Sequence, residues 1–533
     1  MKSKTRTSVL LLGIFILAGV ATYLLTRSPE VTDNQPTKEI VSSRPPTSNE
    51  LPANKPMGRS QNKTATAPNQ DALPPFALKN ERVLVFKDEE AYRKFLASLK
   101  ARGLTMLGKS DRLLAVRIGL GRGSSLVGID GADIAYNYLV TIPTLPQVAA
   151  QAGAVGFGQN ALSWLGIYVD NSAWGEGVTV AVIDSGVNAH IALDGNITTL
   201  DLTELADGTT QLSHGTAVAS IISGDHPLTM GVAPASEILS IRVTDASGSA
   251  NTFTLAEGIM AAADNGAQII NISMGTYADS QLLAEAVLYA QEKGSVIVAS
   301  SGNEGFDSLA YPAAYEDVIS VGAVESQGDH LDFSNSGTDL SITAPGYQVN
   351  AAWGEDMLTS FSGTSASAPF VSGAIAATMS NYPDLSAQEA ADLVLSVTND
   401  AGLPGTDADY GTGILDVGRV IQNSTSGIYD AAISGQTLVP ATSSSSLPTV
   451  LVTVQNQGTE TLINSPVTIT SPSGTEHLNV SSLAPGETQT FEVPISIPAS
   501  GAAVSVSSSV TITSGDADIS NNARSTSYTA ETE

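Results

Sequence analysis

The apolar pattern of this chain changes character several times between its ends. An uncharged apolar run, residues 9–25, comes first, with Lys2, Lys4 and Arg6 before it and Arg27 after it. A basic start followed by such a run predicts an export signal over residues 1–26. Gly19, Val20 and Ala21 offer a small-residue cleavage site. The run is also nearly long enough to remain as a membrane anchor, and no later stretch is. Either way the basic end stays in the cytoplasm and the remainder is exported: secreted, periplasmic or held at the cell surface. Residues 27–75 then lose all apolar periodicity. They are rich in Pro, Ser, Thr, Asn and Gln, the composition of a flexible linker.

Periodicity returns at residue 76. Arg82–Phe86 reads as a strand. Asp88 can cap a helix whose Tyr92, Phe95, Leu96 and Leu99 share one face, and Gly103 stops it. Leu113–Ile118 and Tyr136–Ile142 read as further strands, so 76–150 is expected to be a small α+β domain. The Gly-rich stretch 119–123 reads as a plain loop, because no helix pattern follows it.

From residue 160 to 424, short β-branched runs alternate with helical ones. Val178–Ile183, Glu237–Val243, Gln268–Ser273 and Ser295–Ser300 are the strand candidates; Thr216–Ser223, Leu255–Asn265 and Ser280–Lys293 are the helices between them. This alternation predicts an α/β domain, a parallel sheet with helices on both faces. Its functional groups belong at the carboxyl ends of the strands. Residues 425–533 are dominated by Ser, Thr and Val with Pro and Gly punctuation. Candidate strands at 449–455, 467–470, 490–497 and 503–513 predict a C-terminal β-sandwich.

Composition sharpens the picture in two places. The chain has no Cys, which excludes disulfides and thiol chemistry. Its charge is divided: residues 1–150 carry 20 Lys and Arg against 12 Asp and Glu, while 151–533 carry 4 against 41. Nucleic acid is thereby excluded as a partner of the acidic part, since phosphate binding needs Lys and Arg. A basic N-terminal segment facing an acidic remainder would feel an attraction that salt weakens.

Reactive groups interrupt the α/β pattern in order. Asp184 ends the run Val180–Asp184, where a buried carboxylate is costly without partners. His214, one of five histidines, opens a helix of small residues. Ser365 lies in Phe361–Gly373, a run of tiny side chains ahead of a helix reaching about Met379. Small residues let a second chain come close, and the helix N-terminus would face negative charge developing beside the serine. Each feature alone has a bland reading, as turn, cap or packing. Their order, Asp then His then Ser, is that of the subtilisin triad.

The stretches VAVIDSGV (180–187), HGTAVAS (214–220), ASSGNEG (299–305) and SGTSASAPFVSG (362–373) resemble the subtilases, the subtilisin-like serine protease family. The resemblance implies a serine endopeptidase made as a self-processing precursor. It implies Asp184, His214 and Ser365 as the catalytic triad and Asn303 as the oxyanion donor. It implies that Gly248, Ser249 and Ala250 on one side, and Ser273, Met274 and Gly275 on the other, flank an extended peptide substrate. It further implies 76–150 as an inhibitory propeptide and Tyr410–Ile414 as a structural closing turn. No cofactor is required for the chemistry. The segment between His214 and Gly231 is shorter than in subtilisins, where it carries a calcium loop, so a structural calcium is left without a place. Ala217, Ala366 and Phe370 stand where many relatives carry His, Met and His; none is a triad position.

Two rival readings are a surface-binding protein built on an inactive protease scaffold, and an esterase. No triad residue is missing, which weighs against the first. Gly363–Ser367 lacks the second Gly of a nucleophile elbow, which weighs against the second. The C-terminal region carries no nucleophile constellation and is expected to bind a surface or polymer ligand. Self-cleavage is expected between about Pro143 and Leu162. No Lys or Arg lies between Arg122 and Arg242, so an apolar or aromatic residue such as Leu145, Phe157 or Leu162 should precede the cut.

Overall fold

Thr179–Asp184 pairs in parallel with Glu237–Arg242 on one side and with Ile269–Ile272, the middle strand of a seven-stranded sheet, on the other. Outward from Ile269–Ile272 follow Val296–Ser300, Ile319–Val324 and Ile342–Pro345. Ile197–Asp201 closes the opposite edge. This computed structural model describes residues 73–144, 154–193, 197–206, 209, 211–439, 447–496 and 503–528. The expected export segment, nearly all of the linker and Leu145 lie outside the described residues.

Both faces of the sheet are buried, and strand alternation divides the side chains between them. Val180, Val182, Ile269, Val296 and Val298 enter one core with the helices His214–Ser223, Thr364–Asn381 and Ala387–Ser396. Ala181, Ile183, Ile270, Ile272 and Ile297 enter the other with Thr252–Asp264 and Gln281–Glu292. Burial on both faces explains why the strands read as unbroken apolar runs. The fold is thus α/β, with helices on both faces of a parallel sheet, as the alternation predicts.

Before it stands a four-stranded antiparallel sheet in the order Leu104–Ser110, Ala115–Leu120, Glu81–Phe86, Ala132–Ala135. The helix Glu89–Ser98 packs on it through Tyr92 and Phe95, capped by Asp88 and followed by a left-handed Gly103. The expected strand over 136–142 is shorter, Leu139–Thr141, and belongs to a different ladder: it pairs with Ser249–Asn251.

The C-terminal region is a sandwich. Ala431–Val439, Thr449–Asn456 and Thr488–Pro494 form one sheet; Gly474–Leu483, Leu462–Ser471, Val504–Val510 and Ala523–Tyr528 form the other. Val450, Val452 and Val454 from the first meet Val467, Ile469, Val504 and Val506 from the second.

Phe157 and Leu162 do not suit a cleavage site. Phe157 is 2 % exposed and stacks edge-on against Trp164 at 5.0 Å, while Leu162 packs partly buried on the same core. A chain segment can be cut only where it is free to extend into a cleft, and these residues are packed in or against the core.

Candidate active site

Asp184 is the last residue of its strand and is fully buried. Its side chain finds the partners that burial demands. The Ser185 N–H donates to one oxygen at 2.6 Å, and His214 Nδ1 lies 3.0 and 2.9 Å from the two oxygens. His214 opens its helix, and Gly215 is what lets that helix approach: a Cβ there would sit 2.5 Å from the Gly186 carbonyl and 3.1 Å from Asp184 Cβ. The Phe361 ring stands edge-on to the imidazole at 5.2 Å. With Nδ1 donating to the carboxylate, Nε2 is the imidazole's free acceptor. It is buried and has no hydrogen-bond partner.

Ser365 is the second residue of Thr364–Asn381 and is 1 % exposed. Its hydroxyl donates to the Ser273 carbonyl at 3.3 Å, and the Ser273 hydroxyl donates back to the Ser365 carbonyl at 3.2 Å. The structure therefore joins Asp184 to His214 but makes no hydrogen bond between His214 and Ser365. Asn271 steadies this corner, donating to Ser273 Oγ at 3.1 Å and accepting from Ser372 on the same helix at 2.9 Å.

Asn303 follows the strand Val296–Ser300 in a tight loop. Its Oδ1 lies 2.9 Å from both the backbone N–H and the hydroxyl of Thr364, which fixes the amide orientation. Nδ2 is left buried and unpartnered. It borders Gly363, where a Cβ would come within 2.8 Å and where φ is +121°. Asn335, which no local pattern singles out, holds the loop from behind. Its Oδ1 accepts from the Glu304 and Phe306 N–H groups at 3.1 and 2.9 Å, and its Nδ2 donates to the Ser301 carbonyl at 3.1 Å.

The expected flanking segments are both used, and by the chain itself. Residues 139–142 run between them as a middle strand. Thr141 exchanges two hydrogen bonds with Gly275, each 3.1 Å, and the Ile142 N–H donates to the Gly248 carbonyl at 3.1 Å. Ser249 and Ala250 pair with Thr141 and Val140. The Ala250 and Met274 side chains face the core, so these positions offer backbone alone to the cleft. A cavity of about 270 Å³ beside this strand is lined by Pro143, Gly275, Ser300, Gly302 and Ala310 among others. Tyr277 and Glu304 border it and share a hydrogen bond; burial and the adjoining carboxylate push the phenol pKa up. Among the described residues, no three acidic or His side chains gather as a metal site would require.

The subtilase family model matches residues 175–413. Subtilisin DY of Bacillus licheniformis is 34% identical over 255 residues, which cover 46% of this chain and 92% of that protein. Subtilisin Savinase of Lederbergia lenta is 34% identical over 246 residues, 45% of this chain and 89% of its own. A thermostable alkaline protease of Halalkalibacterium halodurans is 32% identical over 261 residues, 47% and 69% of the two chains. This chain belongs to the subtilase family. As a subtilase it is a serine peptidase, a hydrolase acting on proteins or peptides. The antiparallel sheet over residues 81–135 and the sandwich lie outside the span that the subtilase model matches.

Proposed function

We propose that this subtilase is an exported serine endopeptidase, made as a precursor that processes itself, with Asp184, His214 and Ser365 as its triad. The observation that carries the reading is a pair of buried, unpartnered atoms of opposite character: the acceptor His214 Nε2 and the donor Asn303 Nδ2. A buried polar atom without a partner is costly, and its persistence marks a site prepared for a group that arrives.

In the reaction, Ser365 Oγ leaves the Ser273 carbonyl and attacks the peptide carbonyl carbon while His214 Nε2 takes its proton. Asp184 keeps the proton on Nδ1 and stabilises the imidazolium. Asn303 Nδ2 and the Ser365 N–H, at the N-terminal end of an 18-residue helix, receive the oxyanion. The imidazolium returns the proton to the leaving amine, and water repeats the sequence on the acyl-enzyme. No metal or cofactor enters these steps.

Residues 76–143 act as the intramolecular inhibitor, because their last strand occupies the cleft as an added strand. Asn137 anchors it. Fully buried, it accepts from the Thr252 hydroxyl and the Phe253 N–H at the start of helix Thr252–Asp264, and donates to Asn251. Export rests on the sequence pattern of residues 1–26. The sandwich, which lacks a reactive constellation, takes the role of tether or surface binder.

Ser365→Ala should express as a folded precursor that keeps its prosegment, cleaves no peptide and takes up no organophosphorus serine probe. Wild type should lose the prosegment and label. A mutant that processes itself as fast as wild type in a protease-deficient host would remove Ser365 from the mechanism.

A further inference from the structure

The antiparallel pairing of residues 139–142 with the far wall of the cleft fixes which peptide bond reaches the nucleophile. Thr141 and Gly275 exchange both of their hydrogen bonds. In an antiparallel ladder the next such pair lies two residues on along one chain and two residues back along the other. Continued in this register, the ladder would bring Pro143 opposite Ser273. Any other residue at 143 would donate its N–H to the Ser273 carbonyl; proline has none to give. The Ser273 carbonyl instead accepts the hydroxyl of Ser365. Pro143 lines the cavity beside the strand together with Gly275, Ser300, Gly302 and Ala310.

We infer that Pro143–Thr144 is the bond at which the precursor cuts itself, and that Pro143 slows the cut by leaving Ser273 free to hold the nucleophile. This deepens the proposed function and rests on it. An ordinary substrate residue at this position would claim the Ser273 carbonyl with its own N–H and release Ser365 Oγ toward His214. Proline does neither, and its φ, fixed near −65°, departs from the extended backbone of the strand. The prosegment is therefore held as a reluctant substrate. The cut itself is ordinary hydrolysis. Ser365 Oγ bonds to the Pro143 carbonyl carbon as its proton passes to His214. The C–N bond to Thr144 breaks and that proton goes to the Thr144 nitrogen. Water then releases the Pro143 carboxylate and restores the serine.

The test follows self-processing of the full-length precursor, as wild type, Pro143→Ala and Pro143→Leu, in a protease-deficient host. Intact mass and N-terminal sequencing of the mature enzyme give the site, and the decay of precursor gives the rate. Wild type should begin at Thr144. Both variants should keep that N-terminus and process roughly 2–10-fold faster, the value of one regained hydrogen bond. Once purified free of the cut prosegment, all three mature enzymes should hydrolyse a separate peptide equally, since they are then the same chain. A first N-terminus elsewhere than Thr144, or variants that process no faster, would overturn the inference. So would acceleration by leucine alone, which would make pocket filling the cause and not the missing N–H. Processing of a Ser365→Ala precursor at the wild-type rate, or mature wild type inert toward the separate peptide, would instead overturn the catalytic reading and this inference with it.

Discussion

Asn303 presents its side-chain oxygen to Thr364 alone, 2.9 Å from both the backbone N–H and the hydroxyl, and so leaves its amide nitrogen buried without a partner. The arrangement stores a donor in the place where negative charge would develop. Asn303→Ala should lower kcat by roughly 10²–10³, a magnitude established within this same family, and leave KM little changed. Thr364→Val keeps the N–H and loses the hydroxyl, so its cost should stay within about 10-fold. Steady-state kinetics on a short peptide separate the two. An Asn303→Ala enzyme with the wild-type kcat would place the oxyanion elsewhere.

Gly302 shows how tightly that loop is fitted. Its φ is +113°, and a Cβ there would lie 2.2 Å from Asn335 Nδ2 and 2.6 Å from the Tyr277 hydroxyl. Gly302→Ala must displace Asn335 and with it the loop that carries Asn303. Overpacking and backbone strain together predict a loss of about 1–3 kcal/mol, read as a lower Tm, with a larger fall in kcat than in KM. If Tm and kcat both match wild type, the loop is not held as described.

What the sequence makes legible follows from where the free energy lies. The central strands announce themselves because burial on both faces demands runs such as Val180–Ile183. The edge strand Ile197–Asp201 does not, since most of its side chains face solvent and only Ile197 and Leu200 pack, partly buried, on the two cores. Ala523–Tyr528 escapes for the same reason: half-exposed, polar residues carried by hydrogen bonds to Val504–Ser509. At the site, Asp184, His214, Asn303 and Ser365 stand in recognisable stretches. Asn335 and Asn137 do not. Each acts on a loop or helix far along the chain, and a lone Asn carries no local pattern that says so. The strand at 139–141 could be read from its side chains, but its partner across the cleft could not.

The join between the catalytic domain and the sandwich is polar and specific. Arg419 donates to the Gln457 carbonyl at 3.0 Å and, on the catalytic side, to the Thr398 carbonyl at 2.8 Å. Gln455 donates to the same Thr398 carbonyl and accepts from the Asp400 N–H, at 3.1 and 3.0 Å. Arg524 lies 3.6 Å from Asp329. Removing residues 425–533 should therefore lower the Tm of the enzyme while leaving kcat/KM on a short peptide near the full-length value, because no residue of the sandwich lines the cleft cavity. Calorimetry and peptide kinetics on the truncated enzyme test both halves. A truncated enzyme that folds, as judged by circular dichroism, yet cannot cleave the peptide would give the sandwich a part in catalysis.

The same join predicts a dependence of stability on pH. Burial pushes the Asp430 carboxyl up to about 7; the Asp516 and Asp518 carboxylates add to the rise, while the Asn521 amide and Arg419 oppose it. Burial likewise pushes Asp400 up to about 6, with Asp407 adding and the Gly405 N–H opposing. In the unfolded chain both titrate near 3.9. The folded protein thus binds more protons than the unfolded one between about pH 4 and 7. The contribution of these groups is fully present below pH 4 and is lost as pH rises through 6 and 7. It amounts to on the order of 2–4 kcal/mol for each group. Melting should be followed in a Ser365→Ala background, where autolysis cannot interfere. The share of Tm lost between pH 5.5 and pH 8 should shrink when Asp430→Asn removes the titrating proton, and shrink further with Asp400→Asn added. Identical pH slopes in parent and variants would mean that these carboxyls sit in water and not in the join.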